Sequence, residues 1–133
     1  MARGGEPRMS DAPYLATVVA HYRRPLNARA LAAPTHSHEG TNPLCGDRLR
    51  IEVELHDDRL ADVGFQASAC AIATASASLL TERVRGSTTA DVATLTEALV
   101  IEALGAGVPV ARRGCAALPL RVLHEALRRG VPS

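Results

Sequence analysis

Between residues 48 and 55 charged and apolar side chains alternate without a break. Leu49, Ile51, Val53 and Leu55 are interleaved with Arg48, Arg50, Glu52 and Glu54. A period of two is that of a strand with one face buried. His56-Asp57-Asp58-Arg59 reads as a turn, and Leu60 to Phe65 as a returning strand. Leu60, Val63 and Phe65 are its apolar anchors, in imperfect alternation, so an antiparallel hairpin is predicted. Upstream, Tyr14, Leu15, Val18, Val19 and Tyr22 recur at helical steps. Asp11 is placed to cap that helix, Pro13 suits its first turn, and Arg23-Arg24-Pro25 ends it. Leu26 to Thr41 is polar and broken by Pro34 and Gly40, with an irregular edge strand expected near Thr35–Thr41.

Downstream the period changes. Ala71 to Val84 is rich in Ala and Ser and predicts a helix that packs closely on the sheet and stops at Gly86. Ser87 or Thr88 caps a further helix, with Val92, Leu95, Leu99 and Ile101 on its apolar side, broken by Gly105-Ala106-Gly107 and Pro109. A last helix is expected from about Ala116 to Arg129, with Leu118, Leu120, Leu123 and Leu127 inward and Gly130 as its cap. The outcome is an α+β fold: an N-terminal helix, a small antiparallel sheet, and C-terminal helices packed on one face. A single domain over 11–133 is expected, preceded by a disordered tail over 1–10.

Composition narrows the chemistry. The 133 residues are 47% apolar but only 2% aromatic, so the core must be Ala, Leu and Val. All fifteen basic residues are arginine, which excludes Schiff-base and lysine general-base catalysis. A net charge of +1 with no basic face argues against nucleic acid as a partner. No apolar run reaches membrane-spanning length, and Met1–Ser10 lacks the apolar core of a secretory signal. A cytoplasmic location, where thiols stay reduced, is the expectation.

The three cysteines then stand out. Cys45, Cys70 and Cys115 are 25 and 45 residues apart, each beside a turn or near an expected helix start, where a thiol can be exposed and deprotonated. Their odd number cannot close fully into disulfides within one chain. Asp47 lies two residues from Cys45, and Gly46 lets the backbone bend so that both face one point. Three thiolates and one carboxylate make the four donors of a tetrahedral zinc, with a formal charge of about −2. Arg48, Arg112 and Arg113 are candidates to offset that charge. The five histidines read as structural or solvated positions.

Four segments carry a family resemblance. They are His21-Tyr22-Arg23-Arg24-Pro25-Leu26-Asn27, Asn42-Pro43-Leu44-Cys45-Gly46-Asp47, Phe65 to Ile72 with Ala75-Ser76-Ala77-Ser78, and Arg112 to Leu120. In this order they resemble the motifs of the SufU/IscU family, also called NifU N-terminal-like. The resemblance implies a protein of iron–sulfur cluster assembly. It implies Cys45, Asp47, Cys70 and Cys115 as ligands of Zn2+ or a transient [2Fe–2S] cluster. It implies Cys115 as the acceptor of sulfur from a cysteine desulfurase, and Arg112 as a residue facing that partner. Apo iron–sulfur proteins would be the acceptors of the cluster. Gly114 stands where IscU-type members carry histidine, and the spacing from Cys70 to Cys115 is too short for the SufU-type insertion. Ala67 and Ala69 replace family glycines, and alanine would be strained there if φ were positive. Three functions are implied: a scaffold that carries a nascent cluster, a zinc-dependent sulfurtransferase that holds none, and a structural zinc domain.

Overall fold

The alternation at 48–55 becomes the central strand of a three-stranded antiparallel sheet in a computed structural model that describes residues 13–129. The tail over 1–10, the Asp11 cap and the Gly130 cap lie outside the described residues. Strands β1 (His36–Asn42), β2 (Asp47–His56) and β3 (Arg59–Ser68) lie in the order β1-β2-β3. Leu49, Ile51 and Val53 on β2 are fully buried, so its odd positions face the core. Asp57 and Asp58 turn the hairpin with φ of 52° and 65°. Two consecutive left-handed residues give the turn whose twist matches the strands, and aspartate tolerates that region better than most residues. The imperfect alternation of β3 is a bulge. Glu54 pairs with Asp62 but Leu55 pairs with Leu60, leaving Ala61 as the extra residue. Leu60 and Val63 are thereby both fully buried although three positions apart.

Five helices complete the domain. Helix α1 spans Pro13–Arg23, α2 Ala71–Val84, α3 Thr89–Ala93, α4 Glu97–Leu104 and α5 Arg113–Arg129. Ala73, Ala75, Ser76, Ala77 and Ser78 of α2 are buried, and these small side chains let α1 and α5 approach closely. Helix α5 lies flush on the sheet: a Cβ at Gly40 would come within 2.7 Å of Val122 Cγ2. Among the described residues, no helix is long and apolar enough to cross a membrane.

Two boundaries differ from the expectation. The single helix expected after Ser87 is two, because Thr88 and Thr96 each cap a separate start, accepting from Asp91 N–H and Leu99 N–H. The Thr94 hydroxyl donates to the Asp91 carbonyl at 2.7 Å and helps close the first of them. The break rephases the apolar side, so Val100 and Leu104 are buried while Leu99, expected inward, is 40% exposed. Helix α5 begins at Arg113, three residues before its expected start. A 3-10 turn over Val110–Arg112, with Arg112 N–H donating to the Pro109 carbonyl at 2.8 Å, leads straight into it.

The segment after α1 is pinned to the sheet and α2. His21 Nδ1 and the Leu26 N–H both meet Ser78 Oγ at 2.8 Å. Asn27 donates to Thr81 Oγ1 at 3.1 Å, and its carbonyl accepts the Phe65 N–H at 2.9 Å. The motif at 21–27 therefore works as a clasp. Beyond it, the Leu31 N–H donates to buried Glu52 at 2.8 Å. Among the described residues, the non-glycine positions with positive φ are Asn27, Asp57 and Asp58, so Ala67 and Ala69 carry no such strain.

Gly64 lies under this segment, and a Cβ there would sit 2.3 Å from the Arg29 carbonyl oxygen. Backbone cannot yield as a side-chain tip can. Gly64→Ala is expected to cost about 2 kcal/mol or more of folding stability, read by denaturant unfolding. An unchanged midpoint would show that the segment is free to lift.

Candidate functional site

The strand period places two polar side chains at one end of the core. Asp47 opens β2 at an odd position and so faces the helices, 2% exposed. Asn42 ends β1 directly opposite Asp47 and lies on the same face, also buried. The link between them, Pro43 to Gly46, turns through Gly46 at φ 71° and holds Cys45 exposed to solvent. The end of β3 delivers Cys70 as the N-cap of α2, where its Sγ accepts the Ala73 N–H at 3.5 Å. The first turn of α5 brings in Cys115, fully buried.

These residues converge. Cys45 Sγ, an Asp47 carboxylate oxygen and Cys115 Sγ all lie within 4.8 Å of one another. The sulfurs of Cys45 and Cys115 are 2.9 Å apart, well beyond the ~2.05 Å of a disulfide bond, and all three cysteines are free. Cys70 joins the trio through Asp47. Its N–H donates to Asp47 Oδ1 at 2.9 Å and its thiol to Oδ2 at 3.7 Å.

Cys115 does not meet the expectation of an exposed, readily deprotonated thiol. Burial pushes its pKa strongly upward, and neighbouring Cys45, Asp47 and Cys70 push in the same direction. Its place inside the α5 core face is the cause, since the helix starts earlier than the sequence suggested. Arg112 is exposed and sits beside Cys115; hydrogen bonding to that thiol and the fields of Cys70, Cys115 and Cys45 raise the guanidinium pKa. Arg48 instead faces Glu39 at 3.5 Å. The sequence reading passed over Asn42, whose amide nitrogen lies 3.8 Å from both Cys45 Sγ and Cys115 Sγ. The signal was its position as the first residue of the Cys45 motif. Of the histidines, His56 pairs with Glu54 at 2.7 Å and His124 meets the Val92 carbonyl at 3.0 Å. None joins the metal-binding group among the described residues.

The donor set fits a soft divalent metal. Thiolates hold zinc or iron firmly, and the buried Asp47 carboxylate, which accepts from the Cys70 N–H and thiol, offers further lone pairs.

The family described as NifU-like N terminal domain matches residues 13–129. The iron-sulfur cluster assembly scaffold protein IscU 1 of Archaeoglobus fulgidus is 33% identical over 86% of this chain and 74% of its own. The zinc-dependent sulfurtransferase SufU of Bacillus subtilis is 33% identical over 57% of this chain and 51% of its own. Among solved structures, a putative iron-sulfur cluster assembly scaffold protein for the SUF system from Fervidobacterium islandicum superposes with a TM-score of 0.71. It is 21% identical, and the match covers 84% of this chain and 93% of that one, a likeness of fold.

Exposure and burial set an order of thiol reactivity. In the metal-free protein, limited iodoacetamide should label Cys45 first and Cys115 last, with rates about tenfold or more apart, as peptide mass spectrometry would read. Labelling of Cys115 ahead of Cys45 would contradict the buried position.

Proposed function

This chain belongs to the NifU-like N-terminal domain family, and we propose that it receives sulfur from a cysteine desulfurase and carries it into a nascent iron–sulfur cluster. The observation that carries this reading is the convergence of Cys45, Asp47 and Cys115, with Cys70 hydrogen-bonded to Asp47. A structural zinc domain needs four closed ligands and no access. Here one thiol, Cys45, is exposed while the opposite one is buried. That asymmetry suits a site that takes something in.

Cys115 is the proposed sulfur acceptor. Its thiolate attacks the outer sulfur of the desulfurase persulfide. The S–S bond breaks, its electron pair leaves with the desulfurase thiolate, and a persulfide remains on Cys115, with no net change of oxidation state. Cys115 is buried against the exposed Cys45, the neighbour that faces solvent. Arg112, exposed beside the thiols, offers positive charge to the incoming persulfide and a contact for the desulfurase. Cys45, Asp47, Cys70 and Cys115 would hold zinc, whose charge keeps thiols deprotonated and nucleophilic. The same donors would carry a [2Fe–2S] cargo for apo iron–sulfur proteins, and a carboxylate among thiolates keeps such cargo exchangeable. A cytoplasmic location belongs to this reading, because three free thiols need reducing surroundings.

A second reading, a zinc-dependent sulfurtransferase that never holds a cluster, is favoured by the likeness to the B. subtilis protein of that name. One experiment separates the two. The protein is purified without oxygen, its zinc and iron are measured, and it is titrated into a desulfurase assay. Sulfur transfer predicts stimulated alanine release that falls about tenfold or more in Cys115→Ala, an effect of the size expected when an acting nucleophile is lost. No stimulation, but a coloured cluster after iron and sulfide, points to a scaffold alone. Stimulation with no cluster after iron and sulfide points to the sulfurtransferase, and absence of both stimulation and cluster overturns the assembly role.

A further inference from the structure

Asn42 reaches both the Cys45 loop and the thiol pair. Its Nδ2 lies 3.8 Å from Cys45 Sγ and 3.8 Å from Cys115 Sγ. Its Oδ1 accepts the Leu44 N–H at 3.3 Å, and its main-chain carbonyl accepts the Cys45 N–H at 3.1 Å. A carboxamide nitrogen carries two hydrogens, so one is available for each sulfur. The side chain is 9% exposed, and its pairing opposite Asp47 on the ladder fixes its direction. Gly114 lies against the amide, where a Cβ would sit 3.4 Å from Nδ2, at ordinary contact distance.

We propose that Asn42 is a positioning residue that holds Cys45 and Cys115 as a preformed pair by donating to both sulfurs. The amide is suited to this task. It donates without adding charge, whereas a carboxylate of the same shape would repel the thiolates. Through Oδ1 it also ties the loop, so that the exposed thiol stays beside the buried one. The inference rests on the reading of this pair as a metal- and sulfur-binding site, and the test distinguishes the failure of each.

Cobalt(II), a spectroscopic stand-in for zinc, is titrated anaerobically into the whole protein and into Asn42→Ala and Asn42→Asp. Asn42→Asp keeps an oxygen to tie Leu44 and puts a negative charge in place of the donor, so it reports on the polarity of the amide even if Asn42→Ala disorders the loop. Circular dichroism checks that each variant is folded. An N–H donor lowers the energy of sulfur lone pairs, so its loss should move the sulfur-to-cobalt charge-transfer band to longer wavelength. Affinity should fall about tenfold or more, the usual effect of removing a group that orients metal ligands. A merely structural role would lower affinity and leave the band of the bound fraction in place. A wild-type band with both variants unmoved overturns the role of Asn42 alone. Absence of any thiolate–cobalt band in the wild type overturns the site and the role together.

Discussion

A single buried hydrogen bond ties together the two helices on which the site depends. Ser76 Oγ donates to the Ala116 carbonyl at 2.6 Å, and Ser76 is 1% exposed. Ser76 belongs to the helix that Cys70 caps, and Ala116 follows Cys115 directly. The bond thus sets the distance between two thiols that lie 45 residues apart in sequence. The missing side chain at Gly40 sets the other distance, by letting α5 rest on β1 close to Asn42. Given these two contacts, the strand period delivers Asp47 and the four-residue link delivers Cys45.

The resulting site holds a tension. Four groups that can each become anionic meet here, Asp47 and Cys115 of them buried, and every charge placed there disfavours the next. The upward shift of the Cys115 pKa expresses this, with burial as its largest cause. The surroundings answer with donors: the Cys70 N–H for Asp47, the Ala73 N–H for Cys70, and Arg112 beside the three thiols. These donors do not cancel the penalty at Cys115. A bound cation would, and it would release protons in doing so.

Much of the fold was legible because it rests on local periods. The β2 alternation follows from spacing and the Ala/Ser helix at 71–84 from composition, while the strand near residues 35–41 was expected only as an irregular edge. The break between α3 and α4 was not, because Thr94 and Thr96 look like ordinary helix positions until one closes a helix and the other caps the next. Burial of Cys115 was hidden for a related reason. It depends on where α5 starts, and the start is set by a 3-10 turn whose sequence, Val110-Ala111-Arg112, carries no distinctive signal. The four proposed donors were legible from the motifs that contain them. The donor function of Asn42 was not, since it follows only from the register that sets it beside Asp47. The His21–Asn27 motif reads in the structure as a clasp on Ser78, Thr81 and Phe65.

The near absence of aromatics bears on the site as well as on the core. With one phenylalanine and no tryptophan, the helices cannot be spaced by large rings. They meet through alanine and serine, and a close backbone approach leaves little freedom to slide. Asp47, Cys70 and Cys115 are thereby fixed by a strand start, a helix cap and a helix turn. Cys45 alone hangs on a loop, exposed, beside a leucine that is 96% exposed. Loops open at lower cost than packed elements. Any exchange of ligands in this site therefore costs least at Cys45, while the other three donors keep their geometry.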